Sequence, residues 1–455
     1  MFERAVSIFW PDLKGQELKK FSLLATIFSL IIGSYWLLRL LKNTLLYKIA
    51  YPVSLGWSAD QGRLMQPVLK FWSPFVVIAL VLIYSKLVDL FEKDKLFYII
   101  CTFYTLLFGA ITITLAMRHF WGDAFLGRDL LSALGWVSYF TIESFGSLVV
   151  ALFWSFTASI TDSESAKRGY PIIATFAQFG ALIGSVPILF LERIGGIWRL
   201  FLVATIAIIG VMFLIRHFMR VTPESQMIGN KKAHATEKKE EGFFEGFYSG
   251  LLLLVTRPYL LGVLIVSTMY EIISQIVEYQ MQSNAYIYPE YSSEAGFAKF
   301  QGIYGIGVNS LSFLMALLGI SYMMKRFGLR FCLFFFPVSL GIAVILLYAF
   351  FNTGPTPGQL LWATFAVMMV AKGLGYAVNN PVKEIMYIPT SKDVKFKSKG
   401  WIDTFGSRTA KQAGAGVTDA FKHNLTDLMF FGTMFSLGLT GLWLVAAFYV
   451  GLKNK

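Results

Sequence analysis

The sequence predicts an all-α membrane fold of about twelve transmembrane helices. Three observations carry this: the composition, the succession of long apolar runs, and the loops in which positive charge collects. Of 455 residues, 56% are hydrophobic and 15% charged, against roughly 25% charged in soluble domains. A soluble core cannot absorb so much apolar surface, whereas a bilayer can. Phe occurs 43 times, with 21 Tyr and 11 Trp, the aromatics that favour lipid-facing and interfacial positions.

A spanning helix needs roughly 20 mostly apolar residues. Segments that meet this lie near 22–41, 67–90, 96–117, 130–158, 170–191, 199–218, 251–280, 300–323, 331–351, 360–380, 400–420 and 430–451. The eleventh is the weakest, because Asp403, Arg408, Lys411 and Asp419 interrupt it. It reads as a span facing the bundle, with a re-entrant or peripheral helix as the other reading. Lys and Arg crowd the N-terminus (Arg4, Lys14, Lys19, Lys20) and the connections 2–3 (Lys86, Lys93, Lys95) and 8–9 (Lys325, Arg326, Arg330). The alternate loops are poorer: Lys299 stands alone in connection 7–8. Positive residues mark the cytoplasmic side, so both termini are expected there.

The longest polar stretch, about 220–245, holds Lys231, Lys232, Lys238, Lys239, Glu240 and Glu241. It reads as a linker at 219–250 between halves 1–218 and 251–455. The halves look like copies. Tyr84 to Lys95 and Ser321 to Arg330 are both short, basic inner connections, and Lys167-Arg-Gly-Tyr170 and Ser398-Lys-Gly-Trp401 open spans 5 and 11. Two six-helix repeats imply a major-facilitator-like architecture, with a solute site expected at the midplane between the halves.

The formal charge of +13 does not imply nucleic-acid binding, since the charges lie between apolar runs rather than on one face or tail. Cys101 and Cys332 lie far apart inside apolar runs, with neither metal spacing nor a disulfide pattern. The first 20 residues lack the short apolar core of a cleavable leader. His119, His217, His234 and His423 fall in loops or at helix ends, which favours surface roles over metal binding. Gly302, Gly305 and Gly307 have no accompanying strand or phosphate-binding lysine, so they read as helix-packing glycines. Gly406, Gly414 and Gly416 of span 11 read the same way. No catalytic residue set, cofactor or metal is expected.

A charge near the bilayer centre costs at least about 2.5–3.5 kcal/mol and marks a cavity by default. Four stand out: Lys42 closing span 1, Glu143 in span 4, Glu278 late in span 7 and Lys383 closing span 10. Glu278 lies 236 positions after Lys42, and Asn379, four residues before Lys383, lies 236 after Glu143. Each half thus carries one Lys and one Glu on repeat-equivalent spans. Two readings stand: a cavity whose cations bind an anion and whose carboxylates gate it or carry protons, or two structural ion pairs, with the lysines snorkelling to an interface. Arg39, one turn before Lys42, adds a cation to the same face, and Tyr35 lies one turn earlier again on that face, as an aromatic wall of the cavity or as packing between helices. The stretch from Lys372 to Lys383, with Gly373, Gly375, Asn379, Asn380 and Pro381, suggests either a loosened helix lining a cavity or a simple kink. Arg408 and Lys411 are hard to explain by packing alone.

These residues resemble the ATP/ADP translocases of plastids and obligate intracellular bacteria along nearly the whole chain. The resemblance rests on Phe9-Trp-Pro11 with Glu17 to Lys20, Tyr35 to Leu45, Arg257-Pro-Tyr259 with the Glu278 region, Lys383 to Pro389, Lys399 to Asp403, and Gly406-Ser-Arg408. It implies functional charges at Lys42, Glu143, Glu278 and Lys383. Where the family has an acid directly after the helix 1 Arg and another after the Lys, this chain has Leu40 and Asn43. The resemblance implies a secondary transporter of a nucleotide or a related phosphorylated or anionic metabolite, working by alternating access, with exchange or proton-driven import both open. A proton-coupled importer of a non-nucleotide solute is the alternative within the fold; a scaffold or a lipid-acting enzyme is the alternative outside it. The expected setting is a bacterial inner membrane, with a small anionic solute and lipid as partners, no nucleic acid, and a monomeric chain. The expected substrate-binding residues are Lys42, Arg39, Tyr35, Glu143, Glu278, Lys383, Asn379 and Arg408.

Overall fold

A computed structural model describes residues 13, 15–223, 227, 251–318, 320–387, 390, 398–399 and 401–453. Phe9-Trp-Pro11 and most of the expected linker 219–250 lie outside these. The described chain is almost wholly helical: α1 Gly15–Thr44, α2 Gln61–Leu90, α3 Lys93–Trp121, α4 Asp123–Ser159, α5 Ser163–Ser185, α6 Ile197–Val221, α7 Pro258–Ile287, α8 Glu294–Leu318, α9 Ile320–Phe351, α10 Pro357–Leu374, α11 Ser407–Phe421 and α12 Leu425–Lys453. Among the described residues, nine helical segments are long and apolar enough to cross a membrane. Helices α8, α10 and α11 occupy the other three expected spans.

Local chemistry sets the boundaries. Asp162 caps α5, its carboxylate accepting from the Glu164 and Ser165 amides, each at 2.9 Å. Thr356 and Gln359 form a capping box at α10, with Pro357 supplying the first helical position. Pro258 likewise opens α7, with Arg257 extended before it. Span 7 therefore runs to Ile287 rather than 280, and Glu278 sits two turns inside it. Gly127 in α4 and Gly328 in α9 adopt positive φ, 74° and 79°, where the helix path breaks. Side chains such as Phe103, Leu106 and Ile113 of α3 are exposed. In water such faces would be a liability, and lipid is the solvent that accepts them.

The chain divides into two compact units. The first comprises Met1–Gly62, Phe75–Lys238 and Ser293–Ile306; the second comprises Arg63–Pro74, Lys239–Ser292 and Gly307–Lys455. Within the first, α1 packs against α4, α5 and α6, and α3 against α4 and α6. The α1–α5 contact brings backbone onto backbone: a Cβ added at Gly180 would lie 2.1 Å from the Ser29 carbonyl oxygen, and one at Gly184 would lie 2.1 Å from that of Gly33. Gly180 and Gly184 form the small-xxx-small pattern that permits such an approach. Within the second unit, α7 packs against α10, α11 and α12, and α9 against α10 and α12.

The span 11 glycines divide. A Cβ at Gly414 would meet Ile272 O at 2.9 Å and one at Gly406 would meet Leu264 at 2.9 Å, but Gly416 faces open space. Gly416 is two residues, about 200° around the helix, from Gly414, so it cannot share the packed face. Gly302 and Gly305 do pack, against Leu189 and against Leu40 with Ser185, and Gly307 packs against Met369.

Candidate functional site

In the first unit, α1 presents Tyr35, Arg39 and Lys42 at positions i, i+4 and i+7, one face of the helix. Lys42 does not close the helix. After Thr44 the chain continues through a π turn, Leu45–Ile49, and Lys42 is buried at 4% exposure. The snorkelling reading of Lys42 is therefore not observed. Its ammonium donates to Glu143 Oε1 of α4 and sits 4.2 Å from the centre of the Tyr139 ring, one turn before Glu143. The pair is thus built from two neighbouring turns of α4: a carboxylate to neutralise the cation and a ring face to hold it.

Arg39 lies over Trp36 at 4.9 Å and Tyr35 at 6.0 Å. The Tyr35 ring rests against Gly146, where an added Cβ would lie 2.2 Å from the ring. Gly146 is one turn after Glu143, so the missing side chain lets Tyr35 lie beside the ion pair. An aromatic surface, a guanidinium and an ammonium are consecutive along a single helix face. That combination can receive a flat, apolar group at one end and an anionic group at the other.

In the second unit, the residues 236 positions after Tyr35, Arg39 and Lys42 are Glu271, Gln275 and Glu278, all buried. Glu278 lies 3.9 Å from Lys372 of α10, beyond hydrogen-bond reach. Glu271 accepts from the Tyr270 hydroxyl at 2.7 Å and the Ser407 hydroxyl at 3.3 Å, with the Lys411 ammonium 3.7 Å away. Lys383 does not pair with Glu278 but donates to Asp403. The reason is local. The chain after α10 passes through a π turn, Gly375–Asn379, before the short helix Asn380–Met386. The extra residue in a π turn rotates the next helical segment by about 100°, taking Lys383 off the line that α10 would have given it. The expected loosening of 372–383 is this π turn, at its middle. Asn379 closes that turn and is buried. Arg408 is half-buried in the first turn of α11.

A third π turn, Ile402–Gly406, contains Asp403 and precedes Arg408. Among the described residues, the three π turns thus adjoin candidate charges: Lys42, Lys383 and Arg408. Such single wide turns concentrate at functional positions. The sequence reading missed Glu271 altogether, and it named Lys372 and Lys411 without assigning them to the site. Glu271 was findable, since it stands two turns before Glu278 at the repeat position of Tyr35. Among the described residues, no group of three His, Cys, Asp or Glu side chains is placed to hold a metal ion.

Comparison with known proteins bears on this arrangement. The sequence profile of the TLC ATP/ADP transporter family matches residues 1–119 and 134–446. The chain is 26% identical over 488 residues to ADP,ATP carrier protein 2, chloroplastic, of Arabidopsis thaliana, covering 96% of this chain and 75% of that one. It is 25% identical over 465 residues to ADP,ATP carrier protein 1 of Chlamydia pneumoniae, covering 91% and 86%. Among solved structures, the peptide transporter POT in complex with sulfate superposes with a TM-score of 0.64 at 16% identity, covering 95% of each chain. That likeness concerns the fold, which is major-facilitator-like.

Proposed function

The chain belongs to the TLC ATP/ADP transporter family, and from that premise we propose that it carries a nucleotide across a membrane by alternating access, exchanging one solute molecule for another. The observation that carries the proposal is the first-unit face of Tyr35, Arg39 and Lys42, with Lys42 held by Glu143. A buried ammonium bonded to a carboxylate is neutral in sum and stable without solute. A phosphate group that displaces Glu143 gives Lys42 an equally good acceptor and leaves the carboxylate to be re-paired. The empty carrier is then held by its own Lys42–Glu143 pair, and displacement of Glu143 by solute phosphate is the step that releases it, which favours exchange over leak.

Arg39 supplies the fork that suits phosphate oxygens, and Tyr35 supplies a surface for the base. In the second unit, Glu278, Lys383, Asn379 and Arg408 complete the proposed solute-binding set. The solute crosses unchanged, so the protein works as a carrier and not an enzyme. The positive loops orient it with both termini in the cytoplasm of a bacterial cell, in the inner membrane, acting as a single chain. The related carriers named for ADP and ATP support the choice of nucleotide as the small anionic solute.

The test is thermal stabilisation of the purified chain by a panel of ATP, ADP, AMP, adenosine, dicarboxylates and peptides. Stabilisation by the phosphorylated nucleotides above the other classes is expected. Stabilisation by dicarboxylates or peptides alone would overturn the assignment.

A further inference from the structure

Lys372 lies on α10, nine-tenths buried at 8% exposure. Its ammonium faces Glu278 Oε2 at 3.9 Å, and among the described residues it has no acceptor within hydrogen-bond distance. The other buried lysines differ. Lys42 donates to Glu143 and Lys20 to the Ile160 carbonyl at 2.6 Å. Lys383, less buried, donates to Asp403. An ammonium carries three donors and no acceptor, and leaving them unmet away from water is costly.

Two further donors share this condition. Asn379 Nδ2, in the π turn after α10, is buried with the residue 4% exposed and has no hydrogen-bond partner among the described residues. Gln275 Nε2, one turn before Glu278 on α7, is buried with the residue 2% exposed and is likewise unpartnered among them. Helices α7 and α10 pack directly on each other. The second unit therefore holds, on α7 and on α10 with the π turn that follows it, three buried donors with no acceptor in hydrogen-bond reach among the described residues, and one of those donors is a cation. The ligand that answers such a set is made of acceptors and bears negative charge.

We propose that Lys372, with Asn379 and Gln275, forms a phosphate-binding subsite within the second unit, and that Lys372 is a further determinant of solute affinity. The proposal rests on the nucleotide reading above and adds to it a residue and a place for phosphate. Glu278 holds the ammonium in position at 3.9 Å without occupying its donors, so phosphate oxygens can bond Lys372 without first breaking a hydrogen bond. Lys383, already bonded to Asp403, cannot take an anion on those terms.

The test is equilibrium binding of ATP, ADP, adenosine and inorganic pyrophosphate to the purified full chain and to three variants: Lys372→Met, Lys372→Arg, and the uncharged double variant Lys372→Met/Glu278→Gln. A charged hydrogen bond lost from a buried site corresponds to a loss of about tenfold or more in affinity. ATP and pyrophosphate are expected to weaken at least tenfold in Lys372→Met and to stay weak in the double variant. Adenosine is expected to be unmoved by Lys372→Met, and Lys372→Arg to recover most of the loss. The double variant leaves no uncompensated carboxylate, so it carries the test should Lys372→Met fail to fold. Recovery of ATP affinity in the double variant would show that Lys372 serves only to neutralise Glu278, and would overturn the subsite. Unchanged ATP affinity in Lys372→Met would do the same while leaving the nucleotide reading intact. Binding of pyrophosphate, but of no nucleotide, that depends on Lys372 would sustain the subsite and remove the nucleotide reading.

Discussion

Replacing Glu143 by Gln strands a cation. The Lys42 side chain is 5% exposed and that of Glu143 is 24% exposed. Removing one partner of a buried pair costs about 3–5 kcal/mol. Water reaches the Glu143 side, Gln keeps an acceptor, and the Tyr139 ring stays 4.2 Å from the ammonium. These place the Glu143→Gln loss at the lower end, about 3 kcal/mol. Lys42→Met alone leaves a partly hydrated carboxylate, for which about 1–2 kcal/mol is expected. Removing both charges in Lys42→Met/Glu143→Gln leaves no buried ion, and replacing a whole buried pair by neutral groups is close to neutral in stability. The double variant should therefore be more stable than Glu143→Gln alone, with about 3 kcal/mol or more of non-additivity across the cycle. Chemical unfolding of the four proteins in one detergent at pH 7 measures it. Losses that simply add would mean that the two groups do not neutralise each other, and the proposed displacement of Glu143 by phosphate would lose its basis.

Three further outcomes are expected. Gly184→Ala forces a Cβ to 2.1 Å from the Gly33 carbonyl oxygen, so α1 and α5 must part; about 1–3 kcal/mol of destabilisation is expected by thermal unfolding, whereas Gly416→Ala, facing open space, should be harmless. Tyr35→Ala should weaken ATP and adenosine alike by about 1–3 kcal/mol if the ring stacks on the base and leave pyrophosphate unmoved; equal losses for adenosine and pyrophosphate in titration calorimetry would exclude stacking. The Asp162 carboxyl is held below its usual range by the Ser165 and Glu164 amides that it caps. A lowered value means that the cap is intact above the ordinary carboxylate range and is lost only as pH falls through the lowered one. Asp162→Ala should thus cost about 1 kcal/mol at pH 7, and the difference from wild type should vanish only in strong acid.

The spans were legible because hydropathy dominates in lipid, and the four charges were legible because an ion inside an apolar run is costly enough to need a reason. Pairing was not legible. Which carboxylate meets which lysine depends on helix rotation, and the π turn at Gly375–Asn379 changes rotation by an amount that the loosening signalled by the Gly, Asn and Pro residues there does not specify. Lys383 thus goes to Asp403 and Glu278 to Lys372. Glu271 does not emerge from the repeat position of Lys42 alone; it emerges only from the whole face that Lys42 shares with Arg39 and Tyr35. The Gly180–Gly184 pattern was readable as helix packing, whereas its partner, the Ser29–Gly33 backbone of α1, was fixed only by the fold. The departures at Leu40 and Asn43 fall on buried positions of α1, so no carboxylate stands next to Arg39 or Lys42 in the chain itself. The acid bonded to Lys42 through Oε1 comes instead from another helix, as Glu143 of α4.

The central claim is exchange of nucleotide through a site in which Lys42 alternates between Glu143 and phosphate. Its most direct measurement is uptake of labelled ATP by liposomes holding the purified protein, with and without ATP or ADP inside, in wild type and in the double variant Lys42→Met/Glu143→Gln. The account predicts rapid uptake by wild type only into nucleotide-loaded vesicles, insensitive to an uncoupler, and none in the variant. Strong uptake into empty vesicles that collapses with an uncoupler, or full exchange by the variant, would contradict it.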